Sequence, residues 1–428
     1  MLDRVERNGA NADETAGTVL DEFPGADPRD RSLFYEIVLG TLRMRGSIDE
    51  VITRTSGRKI TDITPIALQT IRTAAYQILY LDRIPPFAAV DRAVENIKRS
   101  GQGKGAAGFV NAVLRRVAEG RPDHDREAGL SHPDWMVEMF KSLLGGEGAI
   151  SLCRANNMEP PLTVRSIAIR QDRMDLKAIL ESEGISSLPG IVAPQSLNLR
   201  GGGFSIKQSK SFIEGRWTVQ DEAAQIVSLI LDPKPGERVL DACAAPGGKT
   251  AHIAEQMNDR GEVIGLDSDK ARLGKAVEII RRIGLQSVKF MNIDSSKPLP
   301  FPENSFDKIL VDAPCSALGT LRRSPEIKWR IKPADISKLS ERQKLLVTNL
   351  VKYLKPGGVM VYSVCTVTPE ECGEVVGKIL SDRSDLAVET PILPDLPPSM
   401  MDGRFVRTWP HLHGTDGFFM ARLKKLEV

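Results

Sequence analysis

Cysteine is scarce in this chain of 428 residues: Cys153, Cys243, Cys315, Cys365 and Cys372 are all there are, and none forms a C-x-x-C pair. A disulfide framework is therefore not indicated, and free thiols in a reducing compartment are expected. Net charge is nearly absent as well, 58 basic against 56 acidic residues. The total alone gives no ground for a nucleic-acid binder; only the distribution of charge could do so. Aromatics make up 5% of the chain, with Gly (36) and Pro (27) near ordinary usage, which excludes collagen-like, low-complexity and wholly disordered readings. Long apolar runs are missing: none approaches the ~18 residues of a membrane-spanning helix. Met1-Leu2-Asp3-Arg4-Val5-Glu6-Arg7 mixes charges without the apolar stretch of a secretory signal. A cytoplasmic protein with no membrane partner is expected.

At this length two or three domains are expected, since typical domains run roughly 100–200 residues. Residues 1–125 read as all helix. Leu33, Phe34, Ile37, Val38 and Leu42 recur at helical spacing within 31–51, and Leu68, Ile71, Ala75, Ile78 and Leu79 follow Pro65. The stretch Gly101 to Gly108 reads as a flexible loop before a helix carrying Phe109, Val110, Val113, Leu114 and Val117. Residues 126–219 read as a small α+β segment: a strand over 162–169, a helix over 174–183 stopped by Gly184, a turn at Gly201-Gly202-Gly203, and another strand starting at Phe204.

Residues 220–428 alternate strand and helix. Strand-like runs are 238–241, 263–267, 288–290, 308–312 and 359–363. Such alternation implies a parallel sheet covered on both faces, with ligands bound beyond the carboxyl ends of its strands. Asp241, Asp267, Asp294 and Asp312 lie at four of those ends. After the first strand comes Asp241-Ala242-Cys243-Ala244-Ala245-Pro246-Gly247-Gly248-Lys249-Thr250. A phosphate-binding P-loop would need glycine where Cys243 stands, so Gly248-Lys249-Thr250 does not make one. A glycine turn there lets backbone N–H groups and a helix N-terminus approach a ligand. Asp267 could take both hydroxyls of a ribose, although a single such Asp also reads as a helix cap. Several acids on one rim favour a nucleoside-bearing cofactor. Cys315, in Asp312-Ala313-Pro314-Cys315-Ser316, and Cys365, in Ser363-Val364-Cys365-Thr366, follow two further strands. Alone, each reads as a small buried residue; together they would open onto one cleft where a thiolate could attack a substrate. No metal site is expected, because ligand spacing is lacking and His411 and His413 sit in a separate tail segment.

These motifs, with Tyr362-Ser363-Val364-Cys365-Thr366-Val367-Thr368-Pro369-Glu370-Glu371 and Asp416-Gly417-Phe418-Phe419, resemble the S-adenosylmethionine-dependent RNA (cytosine-5) methyltransferases. Gly108 to Arg116 resembles the RNA-binding helical bundle of the antitermination factor NusB. A NusB-like bundle (1–125), a small α+β linker domain (126–219) and an α/β Rossmann-like methyltransferase domain (220–428) match the layout of the RsmB (Sun/Fmu) group, which modifies small-subunit ribosomal RNA. The resemblance implies methylation of cytosine C5 through a covalent cysteine–C6 adduct. It assigns Cys365 as nucleophile, Cys315 as the thiol assisting product release, and Asp312 as the residue that orients or protonates the base. S-adenosylmethionine would rest on Cys243, Ala244, Ala245, Pro246, Gly247, Gly248 and Lys249, with Asp312 close by, Asp267 on the ribose and Asp294 on the adenine amine. The family usually has Thr-Cys-Ser where Val364-Cys365-Thr366 stands, and Asn where Cys372 stands.

Charge is uneven along the chain. From Cys315 to Lys355 ten basic residues face three acidic ones. Arg322, Arg323, Lys328 and Arg330 there, with Arg115 and Arg116 in the bundle, are the expected contacts to RNA phosphates, although a solvated helix face fits part of the stretch equally. The substrate would be an unpaired or flipped cytosine of ribosomal RNA, and the enzyme a monomer. Transfer RNA as substrate, or a non-catalytic RNA-binding assembly factor, are the alternatives.

Overall fold

The computed structural model describes residues 1–120, 130–201, 204–391, 393 and 396–427. The expected domain boundary near 125 and the turn residues Gly202 and Gly203 lie outside the described residues. Two compact units emerge: residues 1–159 together with 321–330, and residues 160–320 together with 331–428. Among the described residues no helix is long and apolar enough to cross a membrane.

The first unit is helical. Pro28–Arg43, Arg45–Ser56, Pro65–Tyr80, Pro86–Arg99 and Gly103–Glu119 are its main helices. Prolines open three of them, where a missing N–H costs nothing. Two expectations change here. The continuous helical reading over 31–51 is interrupted at Met44, which ends one helix and starts the next. The glycine stretch is not a loop beyond its start, since the last helix already begins at Gly103. Its buried stripe Ala107, Val110, Val113, Leu114 and Val117 packs against Ile48, Ile52, Ile71 and Ile97, and that packing outweighs the ~1 kcal/mol that each helical glycine costs. The helical stretch Asp134–Asn156, broken at Gly145 (φ 73°), also falls in this unit.

The second unit holds two sheets. Strands β1 (Leu162–Ser166), β2 (Ser186–Pro189), β3 (Ser196–Arg200) and β4 (Trp217–Val219) form an antiparallel sheet in the order β2-β3-β1-β4. The first strand is shorter than the expected 162–169. Phe204 starts no strand either: Ile206–Gln208 is a 3₁₀ turn.

The larger sheet contains β5 (Arg238–Asp241), β6 (Glu262–Asp267), β7 (Val288–Asn292), β8 (Phe306–Asp312), β9 (Leu354–Val364), β10 (Leu386–Val388), β11 (Met401–Asp402), β12 (Phe405–Arg407) and β13 (Phe419–Lys425). Its order is β11-β12-β13-β9-β8-β5-β6-β7, with β10 on β13. The five strands from β5 to β9 run parallel; β13 is antiparallel to β9. Alternate side chains enter opposite layers, as the period of a strand dictates. Leu240, Ile309, Val311, Met360 and Tyr362 pack on helices Pro333–Leu350 and Gly373–Asp382. Val239, Val263, Leu310 and Val361 pack on helices Glu222–Leu231, Gly248–Gln256 and Lys270–Ile283. Strand order reverses between β5 and β8: β5, β6 and β7 are added to one side, β8 and β9 to the other. That is the switch point at which open α/β sheets place ligands.

Candidate active site

The glycine turn leaves β5 at the switch point. Gly247 has φ 101°, a left-handed conformation, and a Cβ there would press on Ala276 at 2.8 Å. Glycine is required at that position on both counts. At Gly248, which starts the helix Gly248–Gln256, an added Cβ would make only an ordinary contact with the Gln220 amide, at 3.8 Å. Asp267 ends β6, its carboxylate accepting from the N–H groups of Ala245 (3.1 Å) and Asp269 (2.9 Å). Asp294 lies two residues beyond β7 rather than closing it, and Ser296 bonds one of its oxygens. Those hydrogen bonds hold its carboxyl below the usual range. Each acid keeps lone pairs for a ligand's hydroxyl and amine donors, so the set fits a nucleoside-bearing cofactor.

Asp241 is buried and accepts from Thr250 Oγ1 at 2.6 Å; burial pushes its carboxyl up to about 7. Burial likewise raises the Cys243 thiol. Asp312, at the end of β8, accepts from Lys249 Nζ (2.7 Å) and Ser363 Oγ (2.7 Å). Burial alone would lower the Lys249 ammonium, but the charge and hydrogen bond of Asp312 outweigh it and the net shift is upward. The ammonium also lies 5.2 Å from the Phe418 ring centre, a cation–π distance.

Beyond β8 and β9 the two thiols meet: Cys315 Sγ lies 3.3 Å from Cys365 Sγ. The loop carrying Cys315 is fastened to its neighbours. Ala313 N–H donates to Ser363 O, Gly319 N–H to Cys365 O, and Gly417 N–H to Gly319 O. A Cβ on Gly319 would sit 1.8 Å from the Gly417 carbonyl oxygen, which accounts for glycine at position 319. Cys315 is pushed well above the ordinary thiol range, first by its hydrogen bond to Cys365, then by burial and by the charges of Cys365 and Glu371. Either sulfur can donate in the S–H···S contact.

The departures from the family pattern are accommodated. Val364 is fully buried in the core of the sheet, and Cys372 Sγ, also buried, lies 3.7 Å from the Thr366 carbonyl oxygen.

The expected RNA contacts divide. Arg115 and Arg116 are exposed, although Arg116 also donates to Thr55 O at 2.9 Å. Lys328, by contrast, is fully buried. Its ammonium donates to Arg43 O (3.0 Å), Ser131 O (3.2 Å) and Asn157 Oδ1 (2.6 Å), so it cannot reach a phosphate in this fold. Arg322 is buried, its carbonyl taken by Arg43 Nη2 at 2.9 Å, and Arg330 reaches the Gly9 carbonyl. Arg323 is half-buried. The segment 321–330 is thus part of the helical unit, anchored further by Trp329 Nε1 on Leu42 O (3.0 Å) and by Glu326 on Ala12 N–H (3.3 Å).

Sequence reasoning missed Glu371, whose buried carboxylate accepts from the Ser316 N–H at 2.9 Å. The only signal was its place in the motif after Cys365. Among the described residues no group of three His, Cys, Asp or Glu side chains could hold a metal ion.

Three family descriptions match successive parts of the chain. The NusB family matches residues 1–119, the ferredoxin-like domain of RsmF/B-like methyltransferases residues 132–204, and 16S rRNA methyltransferase RsmB/F residues 228–424. The chain is 36% identical to a probable ribosomal RNA small subunit methyltransferase B of Bacillus subtilis, covering 99% of this chain and 97% of that one. It is 32% identical to the ribosomal RNA small subunit methyltransferase B of Salmonella paratyphi A, over 93% of this chain and 91% of the other. Among solved structures, PH0851 superposes with a TM-score of 0.82 at 28% identity, covering 95% and 93% of the two chains. NSun6 from Pyrococcus horikoshii, solved with SFG, does so with a TM-score of 0.62 at 25% identity, covering 69% and 99%.

Proposed function

The chain belongs to the 16S rRNA methyltransferase RsmB/F family, and from that premise we propose that it methylates C5 of a cytosine in small-subunit ribosomal RNA, with Cys365 as the nucleophile. The observation that carries this reading is the thiol pair at 3.3 Å beside the Lys249–Asp312 pair, at the switch point of the sheet. S-adenosylmethionine, the family's cofactor, supplies an electrophilic methyl group on a sulfonium when bound.

The residues that would hold it are the turn Cys243 to Lys249, Asp267 and Asp294. The remaining work falls to side chains of the protein. The Cys365 thiolate forms a bond to C6 of the cytosine, and the displaced π electrons make C5 nucleophilic. Asp312, fixed by Lys249 and Ser363, faces the polar edge of the base and orients it. Once C5 is methylated its proton passes to solvent water. The C5–H electrons re-form the C5–C6 double bond, and the C6–S electrons leave with the Cys365 sulfur. The Cys315 thiol, already in contact with that sulfur, hydrogen-bonds the departing thiolate.

The target cytosine must leave its stack to meet the thiol, so an unpaired or flipped base is the substrate. Exposed Arg115 and Arg116 in the NusB-like region supply phosphate contacts. The enzyme works as a monomer in the cytoplasm. Incubation with methyl-labelled S-adenosylmethionine and total RNA should place label in 5-methylcytosine of small-subunit rRNA. Label confined to transfer RNA, or binding of RNA with no transfer, would overturn the reading.

A further inference from the structure

Glu371 is fully buried, and nothing in the chemistry above uses it. A carboxylate taken out of water is stable only where its lone pairs are met. Here Oε1 accepts from the Ser316 N–H (2.9 Å) and the Gln343 Nε2 amide (2.9 Å), and Oε2 accepts from Thr368 Oγ1 (2.9 Å) and from the Ser316 hydroxyl. Thr366 Oγ1 lies 2.7 Å from Ser316 Oγ and 3.3 Å from Oε2. Each hydroxyl has one proton, so the short path runs from Thr366 to Ser316 to the carboxylate. Gln343 spends its second amide proton on Pro314 O at 2.9 Å. Tyr362, inside β9, donates to the Glu371 carbonyl at 2.6 Å.

The residues tied down are the immediate neighbours of both thiols: Pro314 and Ser316 flank Cys315, and Thr366 follows Cys365. We propose that Glu371 is the positioning residue of the thiol pair, holding the loop with Cys315 and the strand end with Cys365 in one geometry. It also places a negative charge beside Cys315, which disfavours ionisation of that thiol. The groups facing Cys315 are Cys365, Glu371 and Tyr362; those facing Cys365 are Cys315 and Lys249. Removal of the carboxylate therefore acts on Cys315 directly and on Cys365 through it. The exposed neighbour Glu370, whose backbone carbonyl accepts from the Ser340 hydroxyl, is a control within the same motif.

The proposal rests on Cys365 as nucleophile, but its test needs neither RNA nor cofactor. Full-length protein is treated with limiting iodoacetamide across a pH series, and alkylation of Cys365 and Cys315 is read separately by peptide mass spectrometry. The native protein and Glu370→Gln should modify Cys365 first. In Glu371→Gln the preference for Cys365 should fall by about tenfold or more, because a charged acceptor is replaced by an amide that also confronts the Ser316 N–H with a donor. Glu371→Asp, keeping the charge, should recover part of the preference. A folded Glu371→Gln protein with unchanged selectivity and pH profile would overturn the proposal. If that variant does not fold, Ser316→Ala decides in its place: reduced selectivity supports the role, unchanged selectivity contradicts it. Intact selectivity control by Glu371 with no methyl transfer to rRNA would sink only the earlier reading.

Discussion

Lys249 and Lys328 are both withdrawn from water, and they mark two regions built on opposite principles. At the glycine turn, Lys249 meets a carboxylate: Asp312 at 2.7 Å, itself oriented by Ser363, and the ammonium is held above its ordinary range. In the segment 321–330, Lys328 meets three neutral oxygens, and desolvation, with the Arg43 charge, drives its ammonium well below the ordinary value. A charge facing a countercharge and leaving room for a ligand equips a site. A charge spent on three carbonyl-type acceptors from distant parts of the chain fastens a fold, at a desolvation cost that those bonds offset. Basic residues crowded near a catalytic motif in sequence therefore divide by what they meet in space.

The Lys249 side of this contrast carries the largest expected effects. Asp312→Asn keeps the shape but loses the charge facing Lys249, and should lower methyl transfer to rRNA on the order of 10²-fold at saturating substrate, the scale for a misplaced reactant. Near-native turnover would make the pair a structural one, like that of Lys328. Lys328→Met should leave three acceptors without a donor, costing about 1–3 kcal/mol for each orphaned group, offset in part because no charge is desolvated. Amides of 321–330 and their partners around Ser131 should then exchange roughly 10- to 100-fold faster. Unchanged exchange with weakened RNA affinity would return Lys328 to the role of a phosphate contact.

A pH series sharpens the same point. Because the folded Lys328 has a depressed pKa, the unfolded chain binds more protons between that value and 10.5. This residue's contribution to stability therefore rises with pH across that interval, up to the ordinary lysine range. The stability difference between native protein and Lys328→Met, read from urea midpoints, should move in favour of the native protein over that range; a flat difference would show that the ammonium is hydrated. The smallest effect is expected at Arg115. Arg115→Ala should weaken rRNA binding uniformly and reduce the slope of log affinity against log salt by about 1. An unchanged slope would remove Arg115 from the phosphate contacts.

What could be read from sequence follows the range of the forces involved. The strands β5, β6, β8 and β9 were legible because a parallel strand buried on both faces is a short apolar run, and the acids and thiols lie at the ends of such runs. The helix start at Gly103 was not, because tertiary packing of Ala107 and Val110 overrides the local preference of the glycines. The burial of Lys328 depends on carbonyls at Arg43 and Ser131, 285 and 197 residues away, and no local pattern reports that. Glu371 hid in plain view for a related reason: Glu370 and Glu371 are adjacent and chemically identical, and only the fold buries one against the Cys315 loop and exposes the other.

The central claim is that the two thiols have unlike duties, and covalent trapping tests it most directly. Cys315→Ala and Cys365→Ala proteins are incubated with small-subunit rRNA and S-adenosylmethionine, then resolved under denaturing conditions. Cys315→Ala should accumulate a protein–RNA adduct that cannot be released, and Cys365→Ala should form none. An adduct with Cys365→Ala and none with Cys315→Ala would contradict the assignment.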